Sequence, residues 1–279
     1  VSAEENSTFK ALELAQLLLA DDSVDAVVVG AVDLAGGMEN VVMRHALSPL
    51  HTGTPAMGIA QESKGWMIGE GAGAVVLVRP EKAGDKPVYA TIESLAFAEG
   101  TVAQDSPLPI HSTAHSLTTA IQSALQSAQL RPEQVEYIEL HASGISHEDE
   151  TEISGITAVY KGTDLTCAMG SVKANIGHTY AASGMASLIK TALCLSERFI
   201  PVVPNWNSPE HPEKWAGTSL WVATKSRTWF TNKRIAGINS LSADGTAAHL
   251  ILSAEKSANK PRGYRAQGSP TLFLIGGAD

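Results

Sequence analysis

The stretch "GSVKANIGHTYAASGMASLIK", residues 170–190, decides how the rest of the sequence is interpreted. It opens with a loop of small residues that carries Lys173 and His178, and it continues into a helix predicted over 182–197. A histidine in a small-residue loop next to a regular element is a candidate for chemistry, whereas a histidine on an apolar face is more often structural. The stretch therefore predicts a functional loop at the start of a helix.

Two other loops share this character. "ELHASGI" (139–145) places His141 at the end of a strand predicted over 135–143, and "SADGTAAH" (242–249) leads into a strand predicted over 247–255. Functional side chains are often found on loops that rigid strands and helices position. We therefore expect these three loops to carry the candidate site.

Strand and helix patterns alternate along the chain, which predicts a layered α/β fold with buried strands. The predicted strands are 24–33, 71–80, 89–100, 135–143, 219–226, 234–241 and 247–255. The predicted helices are 7–20, 149–160, 182–197 and one whose buried face holds Leu117, Ile121, Ala124, Leu125 and Ala128.

The segments between these patterns are expected to be less regular. Residues 34–64 are predicted to be irregular, 81–87 to be a connector and 256–270 to be a linker. The glycine-rich "GEGAGA" (69–74) leads into a strand and lacks the G-x-x-x-x-G-K pattern. It therefore indicates close backbone packing rather than a phosphate-binding loop.

Composition excludes several classes of function. Of 279 residues, 44% are hydrophobic, and the formal net charge of −9 comes without a Lys/Arg run, so neither nucleic acid nor an anionic membrane is an expected partner. No apolar run is long enough to span a membrane, and no signal peptide is recognisable. Cys167 and Cys194 lack metal spacing, which favours two buried thiols in a reducing cytoplasm.

The three loops together resemble those of the β-ketoacyl synthases. Residues 170–190 are similar to the family's K-x-N-x-G-H loop and following helix, residues 130–152 to its E-A-H-G-T-G-T loop, and "GINSLSADGTAAH" (237–249) to a degraded S-S-F-G-F-G-G-T-N-A-H. "GWMIGEGAGAVVLVRP" (65–80) also matches, so the resemblance covers about residues 1–255.

The resemblance implies a thiolase-like fold of two related α/β halves in five layers, αβαβα, usually dimeric. Residues 1–85 would be the remainder of the N-terminal half, 86–255 the C-terminal half, and 256–279 a linker into a following domain. The first strands of the N-terminal half would then lie upstream of this chain or in another chain.

By resemblance, His141 and His178 would donate hydrogen bonds to a thioester oxygen, and Lys173 would fix the second histidine electrostatically. Ser143, Ala243 and Thr246 are the expected substrate-binding positions. No bound cofactor is expected. The acyl group would arrive on the phosphopantetheine arm of an acyl carrier protein.

The opening stretch "SAEENSTFKALELAQ" (2–16) departs from the family. Its alignment with C-S-S-S-L-x-A-L-x-L-A places Glu5 where the nucleophilic cysteine stands. The pattern Ser2-x-x-Glu5 is also a capping box, in which Ser2 would be the N-cap and Glu5 would fold back onto its N–H. Glu5 is thus either a helix-capping residue or a carboxylate in the catalytic position.

Other departures affect the substrate loops. The family's two phosphopantetheine-binding threonines become Ser143 and Ile145, its gatekeeper Phe becomes Ala243, the next Gly becomes Asp244, and its Asn becomes Ala247. These changes predict a pocket that is no longer shaped for acyl transfer.

The sequence leaves several functions open. The first is a non-condensing domain, akin to a chain-length factor, that partners a true ketosynthase or an acyltransferase in a megasynthase such as a polyunsaturated fatty acid synthase. The second is a malonyl-carrier-protein decarboxylase that keeps both histidines, and another is a working ketosynthase-type acyltransferase. The last is a thiol enzyme that uses Cys167 or Cys194.

Overall fold

The computed structural model describes residues 1–34, 36–100, 112–162 and 166–254. Seven helices and ten strands, numbered in chain order, are found in this part of the chain, together with short 3-10 turns. The helices are α1 Ser7–Leu19, α2 Met38–Leu47, α3 Pro80–Ala83, α4 Ala114–Ser127, α5 Ser146–Tyr160, α6 Lys173–Ile176 and α7 Ser183–Glu197. The strands are β1 Ala26–Asp33, β2 Gly71–Val78, β3 Thr91–Glu99, β4 Tyr137–Glu139, β5 Cys167–Gly170, β6 Phe199–Ile200, β7 Leu220–Val222, β8 Arg227–Thr228, β9 Arg234–Leu241 and β10 Thr246–Ala254.

The main sheet has six strands in the order β3-β10-β9-β4-β5-β7. β10 runs antiparallel to β3 and β9, whereas β4 is parallel to both β9 and β5, and β5 is parallel to β7. All eight residues of β9 are buried, as expected for a central strand covered on both faces. The parallel strands β4 and β5 end next to each other, which brings the loops after them together.

Helices cover both faces of this sheet. α4 and α5 pack together on one side, where Leu117, Ile121 and Ile156 are fully buried. α1 and α7 lie on the other side, where α7 also contacts β2 of a small antiparallel sheet formed by β1 and β2. Phe9 of α1 and Leu195 of α7 belong to the hydrophobic cluster of this layer. This layering confirms the predicted α/β class.

The close packing predicted for the glycine-rich stretch 69–74 is confirmed. A Cβ atom on Gly69 would lie 2.6 Å from the carbonyl oxygen of Ile176, and one on Gly73 would lie 2.9 Å from the Met185 side chain. Only glycine lets the start of β2 approach the histidine loop and α7 this closely.

Several predicted elements differ from the structure. The segment 34–64, predicted to be irregular, contains α2, and Pro80, predicted to end a strand, begins α3, which extends into the predicted connector. The strand predicted over 135–143 is confined to Tyr137–Glu139, and the loop after it turns to a left-handed conformation at Ala142 (φ 38°). The predicted linker over 256–270 lies outside the described residues.

None of the helices in the described ranges has the length and apolarity needed to cross a membrane.

Candidate active site

The His141 loop follows β4 and is held by a buried carboxylate. Glu152 of α5 accepts hydrogen bonds from the backbone N–H groups of His141 (2.7 Å) and Ala142 (2.8 Å). It also accepts one from the side-chain amide of Asn239 at 2.9 Å. The His141 side chain is 1% exposed. One fully buried carboxylate therefore fixes the backbone on which the first imidazole is mounted.

The hydrogen bonds around Glu152 continue into the main sheet. Asn239 Oδ1 lies 2.7 Å from Nδ1 of His249, and burial lowers the pKa of His249 to about 3. A neutral His249 that carries its proton on Nδ1 donates to this oxygen. The chain from His249 through Asn239 to Glu152 thus links β10 and β9 to the His141 loop.

Lys173 ties the two histidine loops together. Its Nζ donates a 2.6 Å hydrogen bond to the backbone carbonyl of His141. Burial lowers the pKa of Lys173, although Glu152 and three other carboxylates oppose that shift. The resemblance assigned this lysine to the second histidine. The structure shows its hydrogen bond on the first histidine's carbonyl, while its charge acts on His178 across space.

His178 is fixed by its backbone and by one ring nitrogen. Its N–H donates to the carbonyl of Met67 (2.9 Å), and its Nδ1 accepts from the N–H of Tyr180 (3.0 Å). Because Nδ1 accepts, the neutral ring carries its proton on Nε2. That Nε2 is buried and makes no hydrogen bond within the described residues. His178 therefore presents a buried N–H donor that no described group satisfies.

The structure brings the two imidazoles together, with ring centroids 5.5 Å apart and planes at 84°. Burial, followed by the positive charges of Lys173, His141 and Arg44, holds the pKa of His178 well below its usual range. His178 is therefore a neutral donor at neutral pH. Such donors stabilise negative charge that develops on a nearby oxygen.

Glu5 lies at this site, and the predicted capping box is wrong. A 3-10 turn over Glu4–Asn6 precedes α1, and its N-cap is Ala3 rather than Ser2. The Glu5 carboxylate accepts a 3.1 Å hydrogen bond from the backbone N–H of Ala243, in the loop between β9 and β10. Glu5 does not cap the helix locally, because its buried carboxylate accepts a hydrogen bond from a residue that is distant in the sequence.

Burial raises the pKa of Glu5, and this effect outweighs the Ala243 hydrogen bond and the charge of His141, which both lower it. The side chain is 8% exposed. Its electrostatic interaction with His141 places Glu5 and the first imidazole in the same site.

Glu148, in the first turn of α5, was not predicted. Its Oε2 lies 3.5 Å from Nε2 of His141, and its side chain is 17% exposed. Burial raises the pKa of Glu148, but the nearby His141, followed by the Ser143 side chain and His147, more than offsets this and leaves the pKa below its usual range. Glu148 and Glu152 are four residues apart on one helix face, and this spacing could have revealed both.

Tyr180 is a second feature that the sequence did not reveal. Its ring stacks on His178 with centroids 4.2 Å apart, and the Arg44 guanidinium lies 3.2 Å from the centroid of the Tyr180 ring. Arg44 belongs to α2, which falls in the segment predicted to be irregular. Because that helix was not predicted, nothing in the sequence indicated a cation beside the second imidazole.

The three expected substrate-binding positions are dispersed around the site. Ser143 is buried and its Oγ accepts from the N–H of Ile145 at 3.1 Å. Ala243 is exposed and reaches Glu5 through its backbone, whereas the carbonyl of Thr246 accepts from Asn6 Nδ2 at 2.9 Å. Their role in substrate binding stays a prediction.

Neither cysteine is suited to act as a nucleophile. Both are buried; burial raises the pKa of Cys194 to about 11 and that of Cys167 further still. The thiolate is the reactive form, so burial leaves both thiols less reactive at neutral pH than an exposed cysteine. The hypothesis of a thiol enzyme is therefore wrong for these residues. Within the described ranges, no cluster of three His, Cys, Asp or Glu side chains is arranged to hold a metal ion.

Comparison with known proteins gives the family. The model of the "Beta-ketoacyl synthase, N-terminal domain" matches residues 1–83, and that of the "Beta-ketoacyl synthase, C-terminal domain" matches residues 89–207. Similar curated proteins include a polyunsaturated fatty acid synthase polypeptide of Thraustochytrium sp. (29% identical over 89% of this chain) and lovastatin diketide synthase of Aspergillus terreus (34% over 93%). The chain spans only 12% and 10% of these proteins.

Solved structures agree with this result. The ketosynthase from module 6 of the bacillaene synthase of Bacillus subtilis 168 matches with a TM-score of 0.80 and 26% identity, covering 91% of this chain and 47% of that one. The "PfaC Keto synthase-Chain length factor" matches with a TM-score of 0.68 and 34% identity, covering 91% of this chain and 22% of that one. The fold is thus the thiolase-like fold of ketosynthases, and the chain belongs to the β-ketoacyl synthase family.

Proposed function

We propose that this chain is a non-condensing ketosynthase-like domain, similar to a chain-length factor, of a fatty acid or polyketide megasynthase. The observation that supports it best is Glu5, a buried carboxylate held by the N–H of Ala243 beside the histidine pair. A carboxylate can attack a thioester in principle, but the product is an acyl anhydride, which hydrolyses readily and is a poor store for an acyl chain. No described cysteine lies at this position to take over the role.

In this proposal the domain acts in the cytoplasm as a structural partner of a true ketosynthase or of an acyltransferase domain in the same synthase. It forms a dimer, and acyl groups reach the assembly on the phosphopantetheine arm of an acyl carrier protein. The N-terminal half of the domain would be represented by residues 1–85 and the C-terminal half by 86–255. The segment 256–279 would be a linker into a further domain. The similarity to a polyunsaturated fatty acid synthase favours that class of megasynthase.

The test is a condensation assay with acyl- and malonyl-carrier protein and the purified chain, followed by mass spectrometry of the carrier-bound products. We expect no 3-ketoacyl product and no acyl group retained on the chain. A 3-ketoacyl product would overturn the proposal, and a stable acyl adduct would favour the alternative of a working acyltransferase. Glu5→Cys alone should not restore full activity, because Ile145 and Ala243 also depart from the family pattern.

A second candidate is decarboxylation of a malonyl group without condensation. Two observations favour it: the paired imidazoles, which could stabilise an enolate, and the raised pKa of Glu5, which weakens its repulsion of a malonyl carboxylate. Release of carbon dioxide from malonyl-carrier protein by the unaltered chain, but not by His178→Ala, would establish this activity. Equal release by both would eliminate it.

A further inference from the structure

The Glu148 carboxylate faces the side of His141 that looks into the site. Its Oε2 is 3.5 Å from Nε2 of that imidazole. The backbone N–H of His141 is bound elsewhere, by Glu152, and its carbonyl is bound by Lys173. Nε2 of His141 is buried and makes no hydrogen bond to a described group, so it is available to an incoming oxygen, and Glu148 lies next to it.

The position of Glu148 matters because a second imidazole, that of His178, lies beside His141. Nε2 of His178 is buried and unpaired within the described residues, and the two rings are 5.5 Å apart. An acyl oxygen that accepts from both histidines must pass close to the Glu148 carboxylate. A negatively charged acyl group at the same place would meet a like charge in a partly desolvated setting, where repulsion is stronger than in water.

We propose that Glu148 is a specificity-determining residue that excludes anionic acyl groups, malonyl among them, from the histidine pair and admits only neutral ones. This inference deepens the proposed function, since a domain that cannot receive malonyl cannot condense. Glu148 would act independently of Glu5. A cysteine at position 5 alone would leave anionic acyl groups excluded. It also opposes the decarboxylase alternative, whose substrate is anionic.

Charge selectivity can be measured with two small alkylating reagents on the Glu5→Cys variant. The thiol introduced there reports on the site, and Cys167 and Cys194 stay unreactive because they are buried. Neutral iodoacetamide and anionic iodoacetate transfer groups of similar size, and in each case the thiolate displaces iodide. Peptide mapping gives the two rate constants at the introduced thiol, and their ratio is normalised to that of free cysteine.

We expect Glu5→Cys to favour the neutral reagent about tenfold beyond free cysteine. Adding Glu148→Gln should reduce that preference to within about threefold of free cysteine. Glu150→Gln is the matched control, because it removes the same charge from α5 at a residue that pairs with Lys214 instead. An unchanged ratio in the Glu148→Gln variant, or an equal change in the Glu150→Gln variant, would overturn the proposal.

A second measurement tests the proposal if neither reagent reaches the introduced thiol. The side-chain NMR signals of His141, assigned with His141→Ala, are recorded at one neutral pH in the chain with Glu5 intact. His141 interacts electrostatically with Glu5 and lies next to Glu148 and His178, while Lys173 and Glu152 bind its backbone. Glu148→Gln should shift the ring signals of His141, and Glu150→Gln should leave them in place. Unmoved ring signals in Glu148→Gln would reject the contact between Glu148 and His141.

Both measurements use no carrier protein and form no carbon–carbon bond. A failed selectivity test would not change the result expected in the condensation assay. A 3-ketoacyl product in that assay would not change the measured charge selectivity. The two proposals can therefore fail separately.

Discussion

The histidine pair has two sides that are built differently. On the support side, formed by Glu152, Lys173 and Asn239, each buried polar group has a partner within hydrogen-bond distance. On the open side, formed by Glu5 and Glu148, two carboxylates interact electrostatically with the same imidazole. Burial raises the pKa of Glu5, whereas the contact with His141 leaves that of Glu148 lowered.

This difference separates what holds the site from what reacts in it. Fully satisfied buried networks rigidify a fold, whereas groups that face an open site can change with less cost to stability. The support side explains why the two imidazoles keep a defined geometry although a carboxylate stands at the nucleophile position. The open side is where this chain differs from the pattern of its family, and there we expect its function to be decided.

The comparison fails if the support side contributes little to stability, and Glu152→Ala is the strongest test. The change removes the acceptor of three buried hydrogen bonds and takes away the carboxylate that most strongly favours the charged form of Lys173. We expect the free energy of unfolding to fall by about 3–5 kcal/mol, measured by urea denaturation. Glu150→Ala, half-exposed and paired with Lys214, should cost about 0–1 kcal/mol. Similar losses in the two variants would contradict the division into two sides.

A second test concerns the backbone that presents His178. Gly177 has φ 78°, and a Cβ atom there would lie 2.1 Å from the carbonyl oxygen of Ile68. Gly177→Ala should therefore cost about 2–4 kcal/mol, from left-handed strain and from the shift that the contact forces. Gly84 has φ 56° with no described atom within 4 Å of such a Cβ, so Gly84→Ala carries the strain alone, about 1–2 kcal/mol. Equal thermal unfolding of the two variants would show that the 65–70 segment does not constrain the loop.

The support of the site was easier to predict from the sequence than its open side. The loops of His141 and His178 could be placed because strand ends and small-residue loops are local patterns. The layered α/β class followed from alternating periodicities in the same way. These features depend on residues that are near one another in the sequence.

The predictions that failed needed contacts between distant residues. Ser2-x-x-Glu5 satisfies the local rule for a capping box, yet Glu5 pairs with the N–H of Ala243, 238 residues away. The helix α2 was missed, and with it Arg44 beside Tyr180, since its periodic pattern is short and lies among Gly and Pro residues. Glu148 was missed for a different reason: it is only seven residues from His141, but it lies just outside the helix predicted over 149–160.

The smallest expected effect is the pH-dependent change in stability on replacing Glu5, on the open side. The pKa of Glu5 is raised in the folded chain, so the folded state binds this proton more tightly than the unfolded state does. Its contribution to stability is therefore fully present below the unfolded pKa and is lost as pH rises through the folded pKa. Glu5→Gln keeps an acceptor for Ala243 but cannot ionise. We expect it to be more stable than the unaltered chain by about 1 kcal/mol near neutral pH, with the gain vanishing in acid.

The measurement is urea denaturation of both proteins across the pH range from mildly acidic to neutral. Glu4→Gln is the matched control, because Glu4 is exposed on the same turn, and it should change stability by no more than about 0.5 kcal/mol at any pH. A Glu5→Gln variant that loses stability at neutral pH would mean that the charge of His141 outweighs burial at this carboxylate. Glu5 would then belong to a satisfied ion pair, and the open side would be as well compensated as the support side.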